Sequence, residues 1–191
     1  MSQRTLLPPA LATLLLSVTL LGACERTTTI AAGPSETLVE RGRYLVQGIG
    51  CSDCHTPWHM GPDGPEPDAT RGLSGHPADL AMPLAPVLPD GPWLVTSSAT
   101  NTAWAGPWGV SFTANLTPDK ETGIGNWTEE TFIATLRTGK RLGMGRALLP
   151  PMPWPMYRNL TDDDLRAMFA YLMSQPPVAN RVPEPIEARV E

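Results

Sequence analysis

Apolar residues recur every three or four positions in three segments of the chain, which is the spacing of a helix with one buried face. The first segment covers residues 36–50, the second 126–140 and the third 159–177. The stripe of the third segment comprises Leu165, Met168, Phe169 and Leu172. The pattern predicts three amphipathic helices that bury their apolar faces together.

Residues that commonly begin and end helices flank these segments. Ser35 is the predicted N-cap of the first helix, and Thr128 and Thr161 are the predicted N-caps of the second and third. Acidic residues follow both threonines, where they complement the positive end of a helix. Gly139 and Pro176 are predicted to end the second and third helices.

The chain between the first and second predicted helices is rich in proline. Ten prolines in residues 57–107 exclude a long regular helix there. Runs at 93–98 and 110–115 could pair as short strands, and the tail at 178–191 is predicted to lie extended on the surface. The sequence therefore predicts a mainly α protein with a long Pro/Gly-rich insertion, at residues 59–104, that holds short strands.

The N-terminus has the features of an export signal. Arg4 precedes an apolar run that is too short and interrupted for a stable membrane span, and small residues then lead to Cys24. The sequence LGAC at 21–24 resembles the lipobox of bacterial lipoproteins. We therefore expect residues 1–23 to be removed, Cys24 to carry lipid, and residues 24–35 to form a polar tether to a domain at 36–191.

This export signal predicts a periplasmic protein that is lipid-anchored to a membrane. The alternative is an ordinary signal peptide that leaves Cys24 as a free cysteine. The formal net charge of the chain is −5, so it lacks the basic surface that nucleic acid binding needs.

The sequence CSDCH at residues 51–55 is the strongest chemical signal in the chain. One turn of helix places Cys51 and Cys54 on the same face, with His55 beside them. Covalent haem explains all three residues, because the two thiols add to the haem vinyl groups and the adjacent imidazole becomes the proximal iron ligand.

Three other interpretations of this motif remain open. A zinc site needs four ligands, and the chain offers only His59 and His76 beyond the motif. A thioredoxin-like redox pair needs a preceding strand, whereas a helix is predicted here. A structural disulfide between Cys51 and Cys54 gives no role to His55.

A haem iron bound by His55 has a second axial position. Four prolines stiffen the loop around Met152, which makes its thioether the preferred distal ligand. Met156 and Met144 are the other methionine candidates outside the helices. His76 would give bis-histidine ligation, whereas His59 is too close to His55 to cross the haem plane easily.

The chain resembles the class I cytochromes c, and within them the bacterial cytochrome c subunits associated with periplasmic alcohol and aldehyde dehydrogenases. The resemblance rests on the sequences at residues 42–57, 115–139 and 148–180. It implies a class I cytochrome c fold, with one covalent haem c held by Cys51, Cys54 and His55 and with Met152 as distal ligand. It also implies that the first and last helices cross, with Gly42 giving close approach.

The chain departs from this family in two respects: such subunits commonly carry three haem motifs and this chain has one, and the segment 59–104 is a family-variable insertion to which the resemblance gives no role. The resemblance implies an electron-transfer protein rather than an enzyme. Its partners would be a dehydrogenase or quinol-linked donor and a downstream acceptor. The competing hypotheses are a five-coordinate haem enzyme or gas sensor, and a zinc-stabilised interaction lipoprotein.

A buried haem propionate would need polar partners, and the sequence offers candidates without identifying them, with solvated surface the equal alternative for Arg137. Asn115 and Arg137 lie within the family-like sequences, and any of the six tryptophans could donate an indole N–H to a propionate. Each tryptophan could equally be an ordinary core aromatic.

Overall fold

The structure is a computed structural model that describes residues 37–188. The predicted signal peptide at 1–23, the lipid site at Cys24, the tether at 24–35 and the proposed cap Ser35 lie outside the described residues. The helices are α1 (Leu38–Gly48), α2 (Cys51–His55), α3 (Glu129–Thr138), α4 (Trp154–Tyr157) and α5 (Asp162–Met173).

Helix α1 begins at a capping box. The side chain of Thr37 accepts a hydrogen bond from the backbone N–H of Glu40 at 3.2 Å, and the Glu40 carboxylate accepts one from the backbone N–H of Thr37 at 2.9 Å. Two of the backbone N–H groups that a helix start leaves unpaired are satisfied in this way. Thr37 is therefore the N-cap of α1, in place of the predicted cap Ser35.

Helices α1 and α5 cross and pack closely, as predicted. A Cβ atom on Gly42 would lie 1.8 Å from the backbone oxygen of Ala167 and 2.7 Å from the Cβ of Tyr171, so only glycine allows this approach. An ion pair of 2.9 Å between Arg41 and Asp164 joins the two helices at the edge of the contact.

The core lies where α1, α3 and α5 meet. Helix α3 begins at Thr128 and is capped at Gly139, and α5 begins at Thr161, all as predicted. Their apolar stripes come together in one cluster that also includes Cys51 of α2. The buried members from the three long helices are Leu45, Val46, Phe132, Leu136, Leu165, Ala167, Met168 and Leu172. Through Cys51, helix α2 therefore packs against the core that α1, α3 and α5 form.

Two antiparallel sheets form from the chain between α2 and α3, and the second sheet takes its last strand from the C-terminal tail. The first is a hairpin of β1 (Trp58–Gly61) and β2 (Gly64–Pro67). The second has the order β3 (Thr96–Ser97), β4 (Ala103–Gly106), β5 (Gly109–Phe112) and β6 (Ile186–Glu187). The runs at 93–98 and 110–115 thus contribute strands, but β4 separates them and they do not pair with each other.

The prediction of a mainly α class I cytochrome c fold is wrong in its fold class. Helices account for 32% of the described residues and strands for 14%, in two sheets, so the protein is a mixed α and β structure. The proline content correctly excluded a long helix, but it did not reveal how much of the extended chain is paired. Strand pairing depends on distant partners, and β6 joins β5 from more than 70 positions away in the sequence.

The C-terminal tail pairs with β5 through β6, and the Asn180 side chain donates to the backbone oxygens of Ser74 and His76. Within residues 37–188, no helix is both long and apolar enough to cross a membrane.

Candidate functional site

Helix α2 presents the two cysteines and the histidine of the motif. Gly50 precedes it with φ of +82°, a left-handed conformation that glycine adopts easily and that turns the chain from α1 into α2. Cys51 is buried in the core, Cys54 is partly exposed, and no disulfide joins them. Burial raises the pKa of the Cys51 thiol to about 12, so this sulfur is held as a thiol rather than a thiolate.

The imidazole of His55 is buried and has a fixed tautomer. Its Nδ1 lies 2.7 Å from the backbone oxygen of Ala114. A carbonyl oxygen can only accept, so Nδ1 carries the proton and Nε2 carries the lone pair that can bind a metal. Burial lowers the pKa of His55, which favours this neutral form.

The backbone around His55 is held by a segment distant in sequence. The N–H of Gly75 donates to the oxygen of His55 at 2.8 Å, and the N–H of Leu73 donates to the Thr56 hydroxyl at 3.0 Å. Gly75 has φ of +78°, and a Cβ atom there would lie 2.4 Å from the backbone oxygen of Thr113. Close backbone packing therefore brings the residues that precede Ala114 against the histidine helix.

Of the three methionine candidates, Met152 is the one that packs against the core cluster that contains Cys51. Met144 and Met156 have 86% and 70% of their surface exposed. The loop of Met152 is held by the Ser111 hydroxyl, which donates to the backbone oxygen of Pro150 at 2.6 Å. The Tyr157 hydroxyl, just after this loop, donates to the backbone oxygen of Ile49 at 2.9 Å and so connects α4 to the start of the motif.

The two spare histidines do not have the surroundings of an iron ligand. His76 is fully buried, and both of its ring nitrogens are engaged, with the Thr102 hydroxyl at 2.9 Å and the backbone oxygen of Leu80 at 3.1 Å. Its ring packs on Phe112 with centroids 4.7 Å apart. His59 lies on β1 beside an acidic residue at the surface. The bis-histidine alternative through His76 therefore conflicts with the structural role of this side chain.

The candidate propionate-binding residues have other partners. The Asn115 amide donates to the backbone oxygens of Val178 and Asn180, at 2.8 and 3.3 Å. Arg137 forms a 2.6 Å ion pair with Asp162. Both residues therefore connect segments of the fold.

The residues present fit covalent haem c. Such a group needs an imidazole ligand, two thiols and a second iron ligand. The protein supplies His55 with an unprotonated Nε2, two cysteines that form no disulfide, and a methionine on a loop next to the same core. Among the described residues, two buried side-chain atoms lack a hydrogen-bond partner, Trp104 Nε1 and Thr113 Oγ1, and the sequence pattern singled out neither of them specifically.

The alternatives to haem receive no support from the geometry. Among residues 37–188, no three or more His, Cys, Asp and Glu side chains form a group that could hold a metal ion by themselves. The cysteine pair follows helix α1, whereas a thioredoxin-like pair would follow a strand.

Three curated proteins illustrate what this chain is similar to. It is 32% identical over 149 residues to one of the subunits of nicotinate dehydrogenase from Pseudomonas putida, and the match covers 78% of this chain and 10% of that protein. It is 32% identical over 157 residues to the cytochrome c subunit of the quinone alcohol dehydrogenase of Gluconobacter oxydans, covering 81% of this chain and 25% of that subunit. The third is the cytochrome subunit of fructose dehydrogenase of Gluconobacter japonicus, 32% identical over 137 residues, which covers 72% of this chain and 21% of that subunit.

The chain therefore spans between a tenth and a quarter of the length of these relatives. No family model matches the sequence.

Proposed function

Since the chain is a homologue of the cytochrome c subunits of dehydrogenases, as its motifs predicted, we propose that it transfers electrons through one covalently bound haem c. The single observation that carries the proposal is the state of His55. Its Nδ1 donates to Ala114 inside the fold, which leaves Nε2 as a ready iron ligand directly after two unpaired cysteines.

Cys51 and Cys54 would attach the haem by thioether bonds. Both cysteines are free of any disulfide and lie one helical turn apart, directly before His55, which supports this role. Cys54 is half-exposed and so lies nearer the surface than Cys51.

Met152 would be the distal ligand. Its side chain packs against the core that contains Cys51, and Ser111 and Tyr157 fasten the chain on either side of it. With His55 and Met152 both engaged, neither axial position would be open to water, oxygen or substrate. Haem c, when bound, would supply an iron that changes between ferric and ferrous states, and a thioether ligand favours the ferrous state and raises the reduction potential.

The redox partner would be a dehydrogenase subunit or a quinol-linked donor, with a downstream acceptor. The relatives support the first, because each is named as a subunit of a dehydrogenase. This chain would then be the electron-transfer component of such a complex. The substrate would be oxidised on the dehydrogenase subunit and would not bind at the haem.

The cellular setting is also a proposal. The lipobox-like sequence before Cys24 supports removal of residues 1–23, lipid attachment at Cys24, a tether at 24–35 and a monohaem domain at 36–191. The protein would then lie in the periplasm, anchored to a membrane.

The test of the proposed function is a reduced-minus-oxidised visible spectrum of the full chain, produced with haem-attachment machinery. We expect sharp reduced bands and the weak ferric absorption of sulfur ligation. A high-spin spectrum would favour a five-coordinate haem enzyme or gas sensor, and absence of haem would overturn the proposal and favour a metal-stabilised lipoprotein.

Distal ligation is tested by Met152→Ala with Met156→Ala as the matched control. We expect Met152→Ala to lose the sulfur-to-iron absorption and to gain carbon monoxide binding, because it opens the distal position. Met156→Ala should keep the parent spectrum, since its side chain lies mostly in solvent. The opposite result would transfer the assignment to Met156.

A further inference from the structure

Two polar side-chain atoms in the described part of the chain are buried and unpartnered, Trp104 Nε1 and Thr113 Oγ1. A buried N–H or O–H group without a partner is destabilising, because it has lost its hydrogen bonds to water and gained none in the protein. Native interiors contain few such groups, so each calls for an explanation in terms of a missing partner.

The register of one hairpin places these two side chains on the same face. Trp104 on β4 pairs with Ser111 on β5, so their side chains share one face of the hairpin. The pairing continues past β5, because the N–H of Thr113 donates to the backbone oxygen of Thr102 at 2.9 Å. Side chains alternate along a strand, so Thr113 follows Ser111 onto the same face.

This hairpin face, defined by Trp104, Ser111 and Thr113, joins the two sides of the proposed haem site. The Ser111 hydroxyl binds the backbone oxygen of Pro150, two residues before Met152. Thr113 directly precedes Ala114, the residue whose carbonyl fixes His55. The hairpin face that carries both unpartnered donors is therefore linked to the segment that orients His55 through Thr113, and to the loop of Met152 through Ser111; we call this face the wall.

Other polar groups near this wall are already satisfied. The indole N–H of Trp108 donates to the Ser111 hydroxyl at 3.3 Å, and Asn115 is engaged with the C-terminal tail. An additional ligand group that accepts hydrogen bonds would therefore find its free donors at Trp104 and Thr113.

We propose that the indole N–H of Trp104 and the hydroxyl of Thr113 donate hydrogen bonds to the carboxylates of the bound haem. This inference rests on the proposed function, and it assigns propionate-binding residues within it. A carboxylate inside a protein needs such donors, because burying an unpaired charge is costly. The two donors would also withdraw negative charge from the neighbourhood of the iron and so disfavour its ferric state.

The test uses the haem-loaded full chain with Trp104→Phe and Thr113→Val, which remove one donor each; Thr113→Val does so at nearly constant volume, and Trp104→Phe keeps an aromatic ring. Trp108→Phe removes an indole N–H that already has a protein partner, and Thr113→Ser keeps the hydroxyl, so these are the matched controls. Resonance Raman spectroscopy reports the bending mode of the propionates, and redox titration at fixed pH reports the midpoint potential.

We expect the propionate mode to shift and the midpoint potential to fall in Trp104→Phe and Thr113→Val, while Trp108→Phe and Thr113→Ser keep the parent values. The same mode in all five proteins would overturn the inference, as would an equal shift in a donor variant and its control. If the parent protein binds no haem, the proposed function itself fails. If the parent has a His/Met-ligated haem but Trp104→Phe and Thr113→Val keep its propionate mode and midpoint potential, only the propionate assignment fails.

Discussion

His55 and Met152, the residues proposed to bind the two faces of the haem, are held by different kinds of structure. His55 is buried, and the backbone of Ala114 and Gly75 fixes its ring and its carbonyl oxygen. Met152 is only partly buried, on a loop whose prolines are mostly exposed. Side-chain hydroxyls of Ser111 and Tyr157 fasten that loop.

The difference indicates that the two sides respond separately to perturbation. We call His55 and the backbone that holds it the histidine side, and Met152 with its loop the methionine side. The hydrogen bonds of the histidine side belong to the folded core, so His55 can leave the iron only if the fold opens. The methionine side can detach by local loop motion while the core stays folded. In a denaturant titration we therefore expect the sulfur-to-iron absorption to be lost before the far-ultraviolet signal of the helices.

The largest effect should come from Gly42→Ala, which would disrupt the packing of α1 against α5 on which both the histidine side and the methionine side rest. The new Cβ would meet backbone atoms of Ala167 that cannot move aside, so α1 and α5 must separate. We expect the free energy of unfolding to fall by about 3 kcal/mol, measured by denaturant titration. Gly48→Ala is the matched control, because a Cβ there meets nothing within 4 Å, and equal losses in both variants would contradict the packing argument.

Asn180→Ala should weaken the backbone segment that holds His55 and, with it, the whole fold. The Asn180 side chain accepts from the N–H of Ala78 and donates to the oxygens of Ser74 and His76, at 2.8, 2.7 and 2.8 Å. Losing these bonds should lower the free energy of unfolding by about 2 kcal/mol.

In Asn180→Ala the sulfur absorption and the helix signal should shift together to lower denaturant concentration, because the perturbed segment supports the whole fold. Asn126→Ala is the control, since its amide is exposed and donates to one backbone oxygen. A change in the sulfur absorption alone would place Asn180 on the methionine side.

Ser111→Ala should weaken the methionine side. It removes the bond to Pro150 and leaves the Trp108 indole N–H without its partner, at a cost of about 1.5 kcal/mol. In the same denaturant titration, the midpoint for loss of the sulfur-to-iron absorption should fall further below the midpoint for loss of the helix signal, and this difference is the gap. Ser97→Ala on the exposed edge strand is the control, and an unchanged gap in Ser111→Ala would show that the loop does not depend on this bond.

Tyr157→Phe should have the smallest effect. It removes one hydrogen bond, from the Tyr157 hydroxyl to the Ile49 oxygen, and keeps the ring in the core contact, so we expect a loss of about 1 kcal/mol. Thermal unfolding followed by circular dichroism measures it, with Tyr44→Phe at an exposed position as control. No difference between the two variants would mean that this bond does not contribute to stability.

Local signals in the sequence predicted the helices well. Thr128, Gly139 and Thr161 are caps because their own side chains or backbone freedom satisfy the helix ends, and these effects act over a few residues. The prediction of Ser35 as a cap was wrong because Thr37 and Glu40 form a reciprocal pair that a search for a single cap does not reveal.

The sheets and the surroundings of the site could not be predicted in the same way. The turn that joins β4 to β5 consists of Pro107 and Trp108, which is not a common hairpin-turn sequence, and the pairing of β5 with β6 depends on the whole fold returning the tail to that edge. His76 illustrates the limit for side chains. As a sequence feature it was a possible iron ligand, and only its contacts with Thr102 and Leu80 identify it as part of the fold.

The sequence by itself determined that two cysteines and a histidine share one turn of helix, that a proline-rich loop carries Met152, and that three amphipathic helices form. All of these follow from spacing and from residue chemistry within about fifteen positions. The tertiary structure alone decided which nitrogen of His55 carries the proton, which methionine packs against the core, and which polar atoms are left for a ligand. Those properties depend on atoms such as the Ala114 oxygen, which lies 59 positions from His55, and no local pattern can specify contacts made only when the chain has folded.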